Sequence, residues 1–241
     1  KSAIPEKPFY LYLCFGATHA PHQTPPGWRE KYRGRFDAGW DVIRQQWFEN
    51  QKRLGVIPAD TELAPLNEGV KPWADLSAEE QQVALRLQEA FAAFLEHTDA
   101  QIGRLVAFLQ QLGELENTLI VLLSDNGASQ EGGPFGMINA MGPYNLRREP
   151  LEEKIARIDD IGGPDTHSNF PLGWAMAANT PLRRYKQNTH GGGIRDPLVL
   201  SWPTGIAARG QLRHQFCHAC DLTPTLLDIV GVKPPATING V

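Results

Sequence analysis

Hydrophobic patterning along the chain switches between short, wholly apolar runs and one long helical stripe. Residues Phe9 to Phe15 are aromatic or apolar almost without break and sit between Pro8 and Gly16, as expected for a strand buried on both faces of a parallel sheet. The next segment, GATHAPHQTPPGW, is too rich in Pro and Gly for a helix and leaves the carboxyl end of that strand, where open α/β sheets place their chemistry. A helix is predicted at about Trp40 to Leu54, among proline-punctuated connections around Pro58, Pro65 and Pro72. Ser77 followed by Glu80 is a capping-box pattern, and Phe91, Leu95, Thr98, Ile102, Leu105, Leu109 and Leu112 recur at three- and four-residue steps up to Gly113. That spacing predicts a long amphipathic helix with a glycine stop. TLIVLL then ends abruptly in Ser124-Asp125-Asn126-Gly127, and a helix crossing between two buried strands makes a βαβ unit. Residues 128–178 read as loop-rich with one short helical candidate, LEEKIARIDDIGG. Pro197 to Trp202 (PLVLSW) is a third buried-strand candidate, and DLTPTLLDIVG is a helix with Pro224 near its start and Gly231 at its end. The fold class predicted is α/β, with a mostly parallel sheet flanked by helices.

Composition narrows the function classes. A chain of 241 residues can bury a real core, and 23 glycines with 19 prolines favour long loops. The formal net charge is −4 and no Lys/Arg block is dense enough to follow a phosphate backbone, so no nucleic-acid partner is expected. The longest apolar run falls far short of the roughly 20 residues of a spanning helix, so no membrane partner is expected either. The first residues lack the pattern of a secretory signal and lead directly into an apparent strand, as if in mid-protein. Cys14, Cys217 and Cys220 form an odd set without a disulfide-framework spacing, which favours reduced thiols and, slightly, the cytoplasm.

Four groups of residues are candidates for chemistry. Asp125 and Asn126 offer a carboxylate and a carbonyl oxygen side by side, the hard-oxygen donors that Ca²⁺ or Mg²⁺ takes; an Asp-Asn-Gly turn capping a strand explains the same residues. Lys186 lies in NTPLRRYKQNTHGGGIRDP, a segment able to bring cations to an anion, although Arg183, Arg184 and Lys186 also suit a solvated basic patch. His190 in that segment suits either a substrate contact or a structural hydrogen bond. His19 and His22 occupy the first strand-exit loop, where an imidazole can donate a proton near neutral pH. His214, Cys217, His218 and Cys220 crowd into too short a stretch for good tetrahedral zinc geometry. Buried neutral thiols suit Cys217 and Cys220 better, and Cys14 reads as core.

Read together, GATHAPHQTP, LLSDNGASQEGG, TPLRRYKQNTHGGGIRDPLVLSWP and DLTPTLLDIVGV resemble the sulfatase family of the alkaline-phosphatase-like superfamily, most closely the bacterial-type arylsulfatases. The resemblance runs from about Phe9 to Val232 and implies an alkaline-phosphatase-like α/β fold. It implies that Asp125 and Asn126 bind Ca²⁺, and that Lys186 contacts the sulfate and its bridging oxygen. It also implies that His22, rather than His19, protonates the departing alcohol. The implied substrate is a small-molecule sulfate monoester.

The chain departs from the family pattern in one large respect. Sulfatases make their formylglycine nucleophile from the Cys or Ser of a CxPxR-type or SxPxR-type motif, and neither occurs here. The two early aspartates that complete the family's metal site are also missing. Residues 1–241 therefore read as a partial sulfatase catalytic domain, incomplete at the amino-terminal side and stopping before the carboxyl-terminal region. Such a piece is expected to be inactive alone and to self-associate through exposed core. Two alternatives stay open: a phosphonate or phosphate ester hydrolase of the same superfamily, or a noncatalytic sulfatase-derived binding module.

Overall fold

The computed structural model describes Ile4, residues 6–235 and Thr237. The chain forms two compact units, one reaching to Ala207 and a second beginning at Ala208. In the first unit lie α1 (Gly39–Arg53), α2 (Ala78–Gln111), β1 (Ile120–Leu123), α3 (Leu151–Ala156), α4 (Leu172–Ala178), α5 (Gly191–Ile194) and β2 (Leu198–Ser201). The second unit carries α6 (Leu222–Ile229), preceded by a 3₁₀ turn, Ala219–Asp221.

The long helix forms where the stripe and cap predict it. Ser77 accepts the backbone N–H of Glu80 at 3.2 Å, and the Glu80 carboxylate accepts the Ser77 N–H at 2.8 Å, so two of the orphan donors at the helix start are satisfied. Only the first half of α2 is deeply buried, from Val83 to Ala93. Farther along, Leu95, Phe108 and Leu112 are exposed and only Leu109 is buried. The core against that first half is aromatic. Trp174 of α4 packs edge-on to Trp40 of α1 at 5.9 Å and to Phe36 at 5.5 Å, and Trp73 meets Trp40 at 4.7 Å. The Trp174 indole donates to the Ala84 carbonyl at 3.0 Å, which joins α4 to α2. Gly173 is obligatory beside it, since a Cβ there would lie 2.3 Å from the Trp40 ring. α4 is a helix that the loop-rich reading of residues 128–178 did not anticipate, and α3 covers only the first part of its predicted segment.

The sheet corrects the parallel expectation. β1 and β2 pair antiparallel, Ile120 opposite Ser201 and Leu123 opposite Leu198. β1 runs out at Leu123 and the chain re-enters β2 at Leu198 from that same end, which dictates opposite directions. Phe9 to Phe15 belongs to no strand among the described residues, and its side chains are exposed, Tyr10 to 80%. A strand exists only when a neighbour takes up its backbone groups, and here none does. Leu122, Leu123, Leu198, Val199 and Leu200 are exposed as well. Cys14, Cys217 and Cys220 are free thiols and all three are exposed, not buried as their sequence context suggested.

His22 lies in the core at 1% exposure. Its ring sits 5.1 Å from both Phe91 and Phe170 and 6.3 Å from Phe94. Its backbone is clamped by Ser168, whose carbonyl accepts the His22 N–H at 3.0 Å and whose hydroxyl donates to the His22 carbonyl at 3.0 Å. The ring Nδ1 has no hydrogen-bond partner. Burial, and then the nearby charges of His19 and His167, pull its pKa down to about 3. The imidazole is therefore neutral in the folded chain at ordinary pH.

Two predictions follow from this packing. Trp174→Ala removes the indole shared by α1, α2 and α4 and is expected to cost about 3–5 kcal/mol, read as a lower urea midpoint at unchanged slope. The depressed His22 pKa stabilises the folded chain above the unfolded value near 6.5, and that contribution is lost as pH falls from there toward about 3. His22→Phe, which keeps an aromatic ring in the cage, should flatten the stability profile in that window, measured by urea titration at pH 7 and pH 4.5.

Candidate functional site

Two loops meet at the end of the sheet where β1 stops and β2 starts. Residues 124–131 leave β1, residues 183–193 lead toward β2, and their backbones touch. The Gly127 N–H donates to the Gly193 carbonyl at 3.4 Å, and the Lys186 N–H to the Ala128 carbonyl at 3.1 Å. Asn179 ties both, accepting the Ala128 N–H at 2.9 Å and donating its amide to the Arg184 carbonyl at 2.9 Å. A Cβ on Gly127 would fall 1.7 Å from the Gly192 carbonyl oxygen, and one on Gly192 would fall 2.2 Å from the Arg184 carbonyl oxygen. These glycines serve close packing of backbone on backbone rather than a phosphate-binding loop.

This contact delivers Lys186 to the first histidine loop. Lys186 is buried along its stem, and its ammonium lies 3.2 Å from His19 Nε2 and 2.8 Å from Glu131 Oε2. His19 Nδ1 is 2.8 Å from the Ala20 carbonyl. A carbonyl only accepts, so Nδ1 carries the proton and Nε2 presents its lone pair to the lysine ammonium. The sequence reading gave proton donation to His22 in preference to His19. In the structure His22 is sealed among phenylalanines, and the exposed His19 ring is the one at Lys186. Sequence alone had no signal for this, since two histidines three residues apart in a proline-rich loop look equivalent until one of them is seen inside the core.

Glu131 escaped the sequence reading altogether. The Lys186 ammonium, together with the Ser129 hydroxyl, holds its carboxyl below the usual carboxylate range, against a smaller opposing effect of burial. Ser129 Oγ lies 3.1 Å from Glu131 Oε2, and the Gln187 amide donates to Oε1 at 3.0 Å. Gln187 makes that reach from a left-handed backbone, φ 70°.

Asp125 and Asn126 sit in the loop whose far end carries Glu131. The Asn126 amide nitrogen donates to Asp125 Oδ1 at 2.9 Å, and neither side chain makes another hydrogen bond or ion pair among the described residues. The remaining oxygens, Asp125 Oδ2 and Asn126 Oδ1, are hard donors of the kind Ca²⁺ takes. Burial, and then the charge of Asp125, raise the Asp196 carboxyl, so the donors stand in a field that a cation would offset. They supply part of a shell only; no group of three or more His, Cys, Asp or Glu side chains able to hold a metal occurs among the described residues. His190 is exposed, and its imidazole makes no hydrogen bond with the Lys186 group. In the second unit the His218 ring accepts the Cys220 N–H at 3.1 Å, capping the turn before α6. Concavities of about 650 Å³ along α1 and about 380 Å³ beside Arg86 include none of these residues.

A sequence profile of the sulfatase family matches residues 2–232. An uncharacterized sulfatase of Schizosaccharomyces pombe is 35% identical over 94% of this chain and 40% of its own length. An arylsulfatase of Klebsiella aerogenes is 31% identical over 97% of this chain and 48% of its own length. Mouse N-acetylgalactosamine-6-sulfatase is 28% identical over 68% of this chain and 24% of its own length. The chain thus spans less than half of each of these relatives. With the family profile running across nearly all of its residues, the chain belongs to the sulfatase family.

Proposed function

We propose that this chain supplies the leaving-group side of a sulfuric ester hydrolase, one that cleaves small-molecule sulfate monoesters of aryl type. The observation that carries the reading is the position of the Lys186 ammonium, 3.2 Å from His19 Nε2 and on a loop stitched to the Asp125 loop. Breaking the ester S–O bond leaves its electron pair on the departing oxygen, and negative charge also builds on the sulfuryl oxygens. Lys186 opposes that charge and gives the departing oxygen a proton from the N–H that His19 and Glu131 leave free, which leaves a neutral amine still beside His19 Nε2. His19, not His22, is the imidazole for this step, because only its ring meets the ammonium. Each such donor is worth about 2.7–4 kcal/mol of barrier. Asp125 and Asn126 would contribute oxygen ligands to a Ca²⁺ ion, which when bound offsets charge on the sulfate oxygens. His190 is at most an outer contact for the rest of the substrate.

The nucleophile of this reading is a formylglycine, and the sequence contains no motif for one. We propose that it comes from further residues of a full sulfatase domain, and that those residues cover the exposed Phe9–Phe15 segment and the outer face of β1 and β2. The isolated chain is then expected to give no turnover of an aryl sulfate and to elute from size-exclusion chromatography as more than a monomer. Steady turnover by a compact monomer would contradict this.

The test of the chemistry uses a longer polypeptide in which the domain is complete. Lys186→Ala and His19→Ala should each lower kcat/KM on an aryl sulfate by about 10²–10³, whereas His22→Phe should leave kcat/KM within a few-fold at neutral pH. Equal losses from His19→Ala and His22→Phe would sink the assignment. A preference for phosphonate over sulfate esters would reassign the substrate class.

A further inference from the structure

An ammonium has three N–H donors, and Lys186 has two of them committed. One points to His19 Nε2 and one to Glu131 Oε2. The carboxylate partner is itself fixed from sides that do not involve the lysine. Ser129 Oγ engages Oε2 at 3.1 Å and also accepts the Glu131 backbone N–H at 3.1 Å, while Gln187 Nε2 engages Oε1 at 3.0 Å. Gln187 is held in turn by the Gln130 amide at 3.3 Å, and Ser129 Oγ by the Asn169 amide at 3.4 Å. A carboxylate tethered this way does not swing aside when an anion arrives. A counter-ion waiting to be displaced would need that freedom.

We propose that Glu131 is a positioning residue for Lys186: its anchored carboxylate holds the ammonium oriented against His19, so that the third N–H is presented to the substrate anion. This deepens the reading given above and rests on Lys186 being the anion contact. Four side chains, Ser129, Gln130, Gln187 and Asn169, then matter only through the carboxylate they hold. Glu131 and His19 are the titratable groups that face the ammonium.

The proposal is tested on the chain itself through the acylation rate of Lys186 at fixed pH, read by peptide mass spectrometry against other lysines of the same molecule, with and without inorganic sulfate. Acylation needs an amine free to leave its partners and meet the reagent, and the Glu131 carboxylate tethers Lys186 against His19. Glu131→Gln, an isosteric change at a partly exposed site, should therefore speed Lys186 acylation several-fold. Ser129→Ala, which loosens the carboxylate without removing it, should speed it by a smaller factor. As an independent signature, the Glu131 carboxyl carbon should titrate below the ordinary carboxylate range by NMR, and move back toward it in Lys186→Met. Acylation of Lys186 at the native rate in Glu131→Gln would overturn the proposal. Sulfate should slow Lys186 acylation in the native chain. If it does not, while the Glu131→Gln acceleration stands, the anion-site reading fails and the hold of Glu131 on Lys186 is upheld.

Discussion

Backbone pressed against backbone at Gly127 and Gly192 is the constraint on which the rest of this site depends. A carbonyl oxygen occupies the space a side chain would need, so the loop leaving β1 and the loop entering β2 lie in direct contact. Everything chemical is hung on that contact. It brings the Lys186 N–H to Ala128, puts Glu131 within reach of the lysine ammonium, and lets Asn179 bond to both loops. The same closure makes the two strands antiparallel, because the chain returns to the sheet at the end it left.

The helical half of the fold was legible in the sequence because its determinants are local. The Ser77–Glu80 cap and the three- and four-residue stripe of α2 act within a turn or two, and α1 and α6 likewise fall on their predicted segments. Strand pairing is not local. TLIVLL and PLVLSW form strands, but nothing in either run specifies a direction, and the apolar Phe9–Phe15 run finds no neighbour to pair with. α4 was missed because LGWAMAA is too short to show a period, and it is held by a tryptophan that reaches across to α2.

The site shows the same division. Taken alone, Asp125 and Asn126 suit a turn and Lys186 a solvated basic patch; the family resemblance singled them out, while their mutual placement required coordinates. His19 and His22 differ in burial, which proline-rich loops do not advertise. Glu131 carries no sequence signal at all: it is a single acid in a Gly- and Ser-rich stretch, and its role follows only from which ammonium it touches. Family membership places the chain among the sulfatases, and the coordinates distinguish, within one loop, the imidazole that faces solvent and lysine from the one that serves the core.

The indole cluster of Trp40, Trp73 and Trp174 has an optical consequence. With ring centres 4.7–6.1 Å apart, these chromophores exchange excitation among themselves, and their crossed planes give the near-ultraviolet circular dichroism a coupled band. That band reports the union of α1 with α4 and is blind to the strands.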